Sequence, residues 1–206
     1  MRRTIIVIVL LAAALGATVA WATPGNSKPG RAPDGMAGMA MPSMTSPLAT
    51  TLQQARLATA QYATNLDAAK ADGYSIITKM IPDMGWHFLN GKITGFHPTK
   101  PAILVYERHS GKWQLAALEW VFPSKPKTAP LPGARYGAFP AACHYADGTF
   151  VPAQSQDSCA KTAPGSGAAF TFWHPNLVTL HVWLWYPNPT GIYSSMNPLV
   201  HPFNAG

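Results

Sequence analysis

The chain predicts an α+β domain in which one N-terminal helix packs on a twisted antiparallel sheet, closing into a half-barrel or a sandwich. Three observations carry this. A single stretch, LQQARLATAQYATNLDAAKA, has helical periodicity, with Leu52, Ala55, Ala58, Tyr62 and Leu66 on one face. From Tyr74 onward the pattern changes to short apolar runs divided by Pro, Gly and Asn. The 20 prolines fall mostly at the ends of those runs, which argues against a helical domain.

The first residues, MRRTIIVIVLLAAALGATVAWATPG, have the three parts of a secretory signal peptide. Arg2 and Arg3 are basic, Ile5 to Ala20 is apolar or small, and Ala20-Trp21-Ala22 suits cleavage after Ala22, so residues 1–22 are expected to be removed. An uncleaved anchor is the alternative, but the run is short for a span of ~20 residues. The expected location is therefore secreted, periplasmic or at the cell envelope, with no stable membrane span after cleavage. Cleavage leaves 13 basic against 8 acidic side chains. The basic residues are scattered, which excludes a nucleic-acid surface. Charged residues make up 11% of the chain, well under the ~25% of an ordinary soluble domain.

Residues 23–47 are rich in Pro, Gly, Ser and Met and lack periodicity, so they read as a disordered tether before a single domain over 48–206. The tether carries Met36, Met39, Met41 and Met44, whose thioethers suit Cu(I). A metal-capturing arm is one reading and an accident of composition the other. Loss of silver or Cu(I) binding when all four become leucine supports the arm, and unchanged binding removes it.

The helix is expected to start from an N-cap at Thr50 or Thr51 and to close at Asp72-Gly73. Seven strands follow: YSIITKMI, MGWHFL, KITGF, AILVYE, WQLAALEWVF, AAFTFW and LVTLHVWLW. Asn90-Gly91 predicts a two-residue hairpin between HFL and KIT, and Ser110-Gly111-Lys112 a second turn. Cys143 and Cys159 read as a disulfide, because an even count in an exported chain without C-x-x-C spacing favours a structural bridge. The segment between them, HYADGTFVPAQSQDS, is expected to be a loop turning at Asp147-Gly148.

Strand alternation places Val178, Leu180, Val182 and Leu184 on an aliphatic face, and Leu177, Thr179, His181, Trp183 and Trp185 on the other. His181 thus falls on a mixed polar and aromatic face. His87 sits in the similar setting Trp86-His87-Phe88, just before the expected hairpin turn. Glu119 is expected to share a face with Trp113, Leu115, Ala117 and Val121, where an ionised carboxylate needs a partner. Two imidazoles and a carboxylate from three strands suit a copper or zinc site with positions left open. The competing reading hydrogen-bonds each one to main chain. His174 and His144 are weaker ligand candidates, each more often a plain polar loop residue, while His109 and His201 are expected to be exposed.

Three segments resemble a family of exported bacterial proteins of unknown function. They are GYSIITKMIPDMGWHFLN, PAILVYERHSGKWQLAALEWVFP and TLHVWLWYPNPTGIYSSMNPLV. That family carries an MGxH element, a PxxLxY then (V/L)E(Y/W) element and a terminal LHxWxWxxNPxGxFxxxNP element. The resemblance covers residues 73–123 and 177–203, and it implies a shared site at His87, Glu119 and His181. Tyr193 stands where the motif has Phe, and His97 where members often have Asp, so His97 is not counted as a ligand. The cysteine pair has no counterpart, and the resemblance names no reaction.

No G-x-S-x-G, P-loop, G-x-G-x-x-G or H-E-x-x-H is present, so no catalytic residue is assigned. Beside a metal-binding protein stand two other readings: a metal-dependent enzyme at the same site, and a non-catalytic envelope module. The module would bind glycan or protein through Trp173, Trp183, Trp185 and Tyr186, although such aromatics are the usual material of a β-rich core.

Overall fold

Ser46 opens the first helix by accepting the Ala49 N–H, with Pro47 preset for the first turn, in a computed structural model that describes residues 46–204. The expected signal peptide, the expected tether up to residue 45 and its four methionines lie outside the described residues. The N-cap is thus Ser46 rather than Thr50 or Thr51. Helix α1 spans Pro47–Thr59 and tightens into a 3-10 turn over Ala60–Tyr62. The expected single helix is broken at residues 63–65, where Asn65 starts a new one by capping Ala68 N–H for α2, Leu66–Ala71. The break frees the Ala63 carbonyl to accept Leu115 N–H, so a tertiary bond replaces a helical one.

Nine strands follow: β1 (Ser75–Ile81), β2 (Gly85–Leu89), β3 (Ile103–His109), β4 (Lys112–Phe122), β5 (Gly137–Phe139), β6 (Ala142–Tyr145), β7 (Phe150–Pro152), β8 (Phe170–His174) and β9 (Leu177–Val182). Six of them form a curled antiparallel half-barrel in the order β1-β2-β3-β4-β9-β5, and a small sheet runs β7-β6-β8. The α+β expectation holds. No helix among the described residues is long and apolar enough to cross a membrane.

Ser110 and Gly111 both take positive φ and join β3 to β4 as a two-residue hairpin, as their sequence predicts. Asn90-Gly91 does not make one, and Lys92–Phe96 is not a strand. The Asn90 side chain instead accepts Lys92 N–H and donates to Asp72 O. Trp120 Nε1 donates to the His97 carbonyl and its ring meets Phe96, so the segment is fastened as a loop. The segment between the cysteines is also corrected. It holds the end of β6 and all of β7, turning at Asp147-Gly148 as expected. Gly148 sits so close to β1 that an added Cβ would lie 2.9 Å from Lys79 N, and its φ is +80°. Cys143 and Cys159 are paired as a disulfide with Cα atoms 5.6 Å apart.

The two faces of the large sheet do different things. Against the helices lie Phe88, Leu104, Tyr106, Leu115, Leu118, Trp120, Leu180 and Val182. The opposite, concave face carries Ile77, Ile103, Val105, Ala117 and Trp183. A bulge corrects the expected face of β4. Val105 pairs with Ala117 and Tyr106 with Leu115, so Ala116 is the extra residue. Ala117, Glu119 and Val121 share one face, while Leu115 and Trp113 turn to the helix side. The same bulge ends β9. The Ala116 carbonyl accepts N–H groups from Trp185 and Tyr186, and Leu184 and Trp185 both join the helix-side core. Trp185 therefore does not share a face with His181.

Candidate metal centre

Glu119 and His181 are direct cross-strand partners on β4 and β9. Their side chains rise from the concave face and meet, with His181 Nδ1 2.6 Å from Glu119 Oε1. His87 comes from β2, two strands from Glu119, and reaches over β3 until its Nε2 is 3.8 Å from the same oxygen. One ligand atom from each of the three lies within 4.8 Å of the others. All three are buried, at 4% to 5% exposure. The convergence expected from sequence is present, and the group could hold a metal ion.

A fourth residue orients the first. Thr78, opposite His87 on β1, places Oγ1 2.9 Å from His87 Nδ1 and accepts the His87 backbone N–H at 3.1 Å. If Nδ1 carries the proton and donates it, Nε2 keeps its lone pair toward Glu119. Strand alternation hides Thr78. A register shift between Ile76 and Thr78 lets Ile77 and Thr78 both line the same cavity, where regular pleating would send one away.

Electrostatics favour ligation. Burial holds the His87 imidazolium disfavoured, so its pKa lies below the ordinary value and the ring is neutral. Burial pushes the Glu119 carboxyl up, but the His181 hydrogen bond and the two histidines outweigh it, and the net direction is down. An ionised carboxylate can only accept, so His181 Nδ1 carries the shared proton. His181 Nε2 is buried and has no partner among the described residues.

The group lies in the wall of a cavity of about 340 Å³. Ile77, Ile81, Met84, Ile103, Phe139 and Phe150 supply apolar lining, and Arg135, Tyr136 and Ser195 are also part of it. Sequence reasoning missed this cavity, because Arg135 to Phe150 reach it through β5 and the small sheet, which carry little periodicity.

His144 and His174 are not part of the group. They sit on β6 and β8 with ring centres 5.0 Å apart. His144 Nδ1 donates to Ile77 O at 2.8 Å and His174 Nδ1 to Pro175 O at 2.7 Å, and His144 stacks on Phe172. Burial takes His144 down to about 4. His109 and His201 are exposed as expected, on Phe203 and Asp83 respectively. The indoles of Trp173, Trp183 and Trp185 donate to Ala153 O, Ser194 O and Thr59 Oγ1, and Arg56 lies 4.4 Å over Trp185. These contacts fix the three indoles in place.

One more acid went unnoticed in the sequence. Glu107 on β3 is buried, with neither carboxyl oxygen partnered among the described residues. It stands where a Gly85 side chain would be, since a Cβ there would come within 2.7 Å of Oε1. Desolvation, aided by Asp83, raises its pKa to about 8.

No protein-family model, curated protein or solved structure matches the chain.

Proposed function

We propose that this is an exported metal-binding protein whose centre is His87, Glu119 and His181, with zinc or copper as the ion. The observation that carries the reading is the gathering of three buried ligand groups from three strands on one concave face. Two imidazoles and one carboxylate form a borderline donor set that suits zinc and copper better than calcium or magnesium. His87, Glu119 and His181 would hold the ion, His181 as the neutral ring with its proton moved from Nδ1 to Nε2, and Thr78 would orient the His87 ring. The disulfide and the N-terminal pattern support export, where such a protein would meet the ion.

Zinc titration of untagged protein by calorimetry tests this. One ion per chain is expected, with affinity about 100-fold weaker or lost in His87→Ala and His181→Ala variants. Equal affinity in wild type and both variants would remove the centre. The cavity favours a metal-dependent enzyme as the second reading, since three protein ligands leave a zinc position open. Zinc-dependent ester hydrolysis that disappears in Glu119→Gln would support it.

A further inference from the structure

The cavity has a floor, a wall and a rim of different chemistry. The floor is the buried set Thr78, His87, Glu119, Thr179 and His181. The wall between is apolar. At the rim lie Arg135, Ala138, Phe150 and Ser195, all exposed. Glu119 is the only acidic side chain in the lining, and Arg135 is its only lysine or arginine. Arg135 makes no ion pair among the described residues.

Charge balance then identifies a ligand. Histidines ligate as neutral imidazoles and the carboxylate contributes one negative charge, so a divalent ion leaves the floor with one net positive charge. An uncompensated charge is costly in so enclosed a place. The cavity's volume is at the small end of ligand sites, which run to ~300–1,000 Å³. Its lining can desolvate one ring or a short branched chain. We infer that the metal-loaded cavity binds a small monocarboxylate with an apolar body, the acid oxygen on the ion and the body against Ile77, Ile103, Phe139 and Phe150.

Tyr136 belongs to the same lining, and its hydroxyl is buried without a partner among the described residues. Arg135, exposed beside it, acts on approach: its charge steers anions to the mouth without being consumed in the bound pair.

The inference rests on the proposed metal centre, so the experiment separates the two. Zinc binding is measured first and alone, and phenylacetate is then titrated into zinc-loaded and zinc-free protein beside its neutral counterpart phenylacetamide. Phenylacetate is expected to bind zinc-loaded protein about 100-fold tighter than the amide does, with no measurable binding to zinc-free protein. Phe150→Ala, a rim change, should weaken phenylacetate by about 10-fold and leave zinc affinity within about 3-fold. Arg135→Ala should slow association and flatten its salt dependence. Failure of zinc to bind overturns both the centre and the ligand. Zinc binding with equal affinity for acid and amide overturns the ligand alone. A 100-fold or larger loss in Arg135→Ala would place the carboxylate at the rim and overturn its ligation to the ion.

Discussion

Replacing Glu107 by Gln should change how stability depends on pH while leaving the shape of the fold intact. The carboxyl is buried and unpartnered, and its pKa rises from the ordinary 4.5 to about 8. In the folded chain it therefore keeps its proton across a range in which the unfolded chain gives it up. The folded state binds more protons between those two values, so stability falls as pH rises from about 4.5 to about 8 and levels beyond. At ~1.4 kcal/mol per pKa unit the full penalty is a few kcal/mol, at most about 5. Urea unfolding followed by tryptophan fluorescence, with wild type and Glu107→Gln compared at each pH, isolates this group because all others cancel in the difference. The variant should gain about 2 kcal/mol relative to wild type between about pH 5.5 and about pH 7. Parallel stability curves for the two proteins would refute the argument, since they would mean that Glu107 ionises in the folded state as freely as in water.

Three further outcomes follow from particular contacts. Thr78→Val removes the hydroxyl that holds His87 Nδ1 and should weaken zinc binding by about 10- to 100-fold in calorimetry, although Thr78 never touches the ion. Gly148→Ala puts a Cβ 2.9 Å from the Lys79 backbone nitrogen at a φ of +80°, and should cost about 2 kcal/mol or more in urea unfolding. Replacing Cys143 and Cys159 together by serine opens a loop with a sequence separation of 16 and should destabilise by ~3 kcal/mol, read as a lower midpoint under non-reducing conditions.

Side-chain period and residue type were enough for much of this molecule. Alternation in β9 already separates a mixed polar and aromatic face from an aliphatic one, because successive strand side chains must point to opposite sides. His181 in TLHVWLWYP and Glu119 in LAALEWVF are conspicuous on those terms, since a polar group among large apolar neighbours needs a partner. Ser110-Gly111 is equally local, and two positive φ angles close the turn without help from elsewhere. Position along the chain suits the pairing of β1 to β4, which are neighbours in chain order, but it does not say that β9 joins β4. Only the order β2-β3-β4-β9 brings His87 within 3.8 Å of Glu119 and makes Glu119 and His181 partners. The bulge at Ala116, the register shift before Thr78 and the helix break at Asn65 were likewise set by contacts distant in sequence, each supplying a hydrogen bond or a face that the local period contradicts. Residue chemistry decided which side chains could form a centre, and sheet pairing decided that they meet, because a ligand set is a matter of ångströms between strands that the sequence separates by dozens of residues.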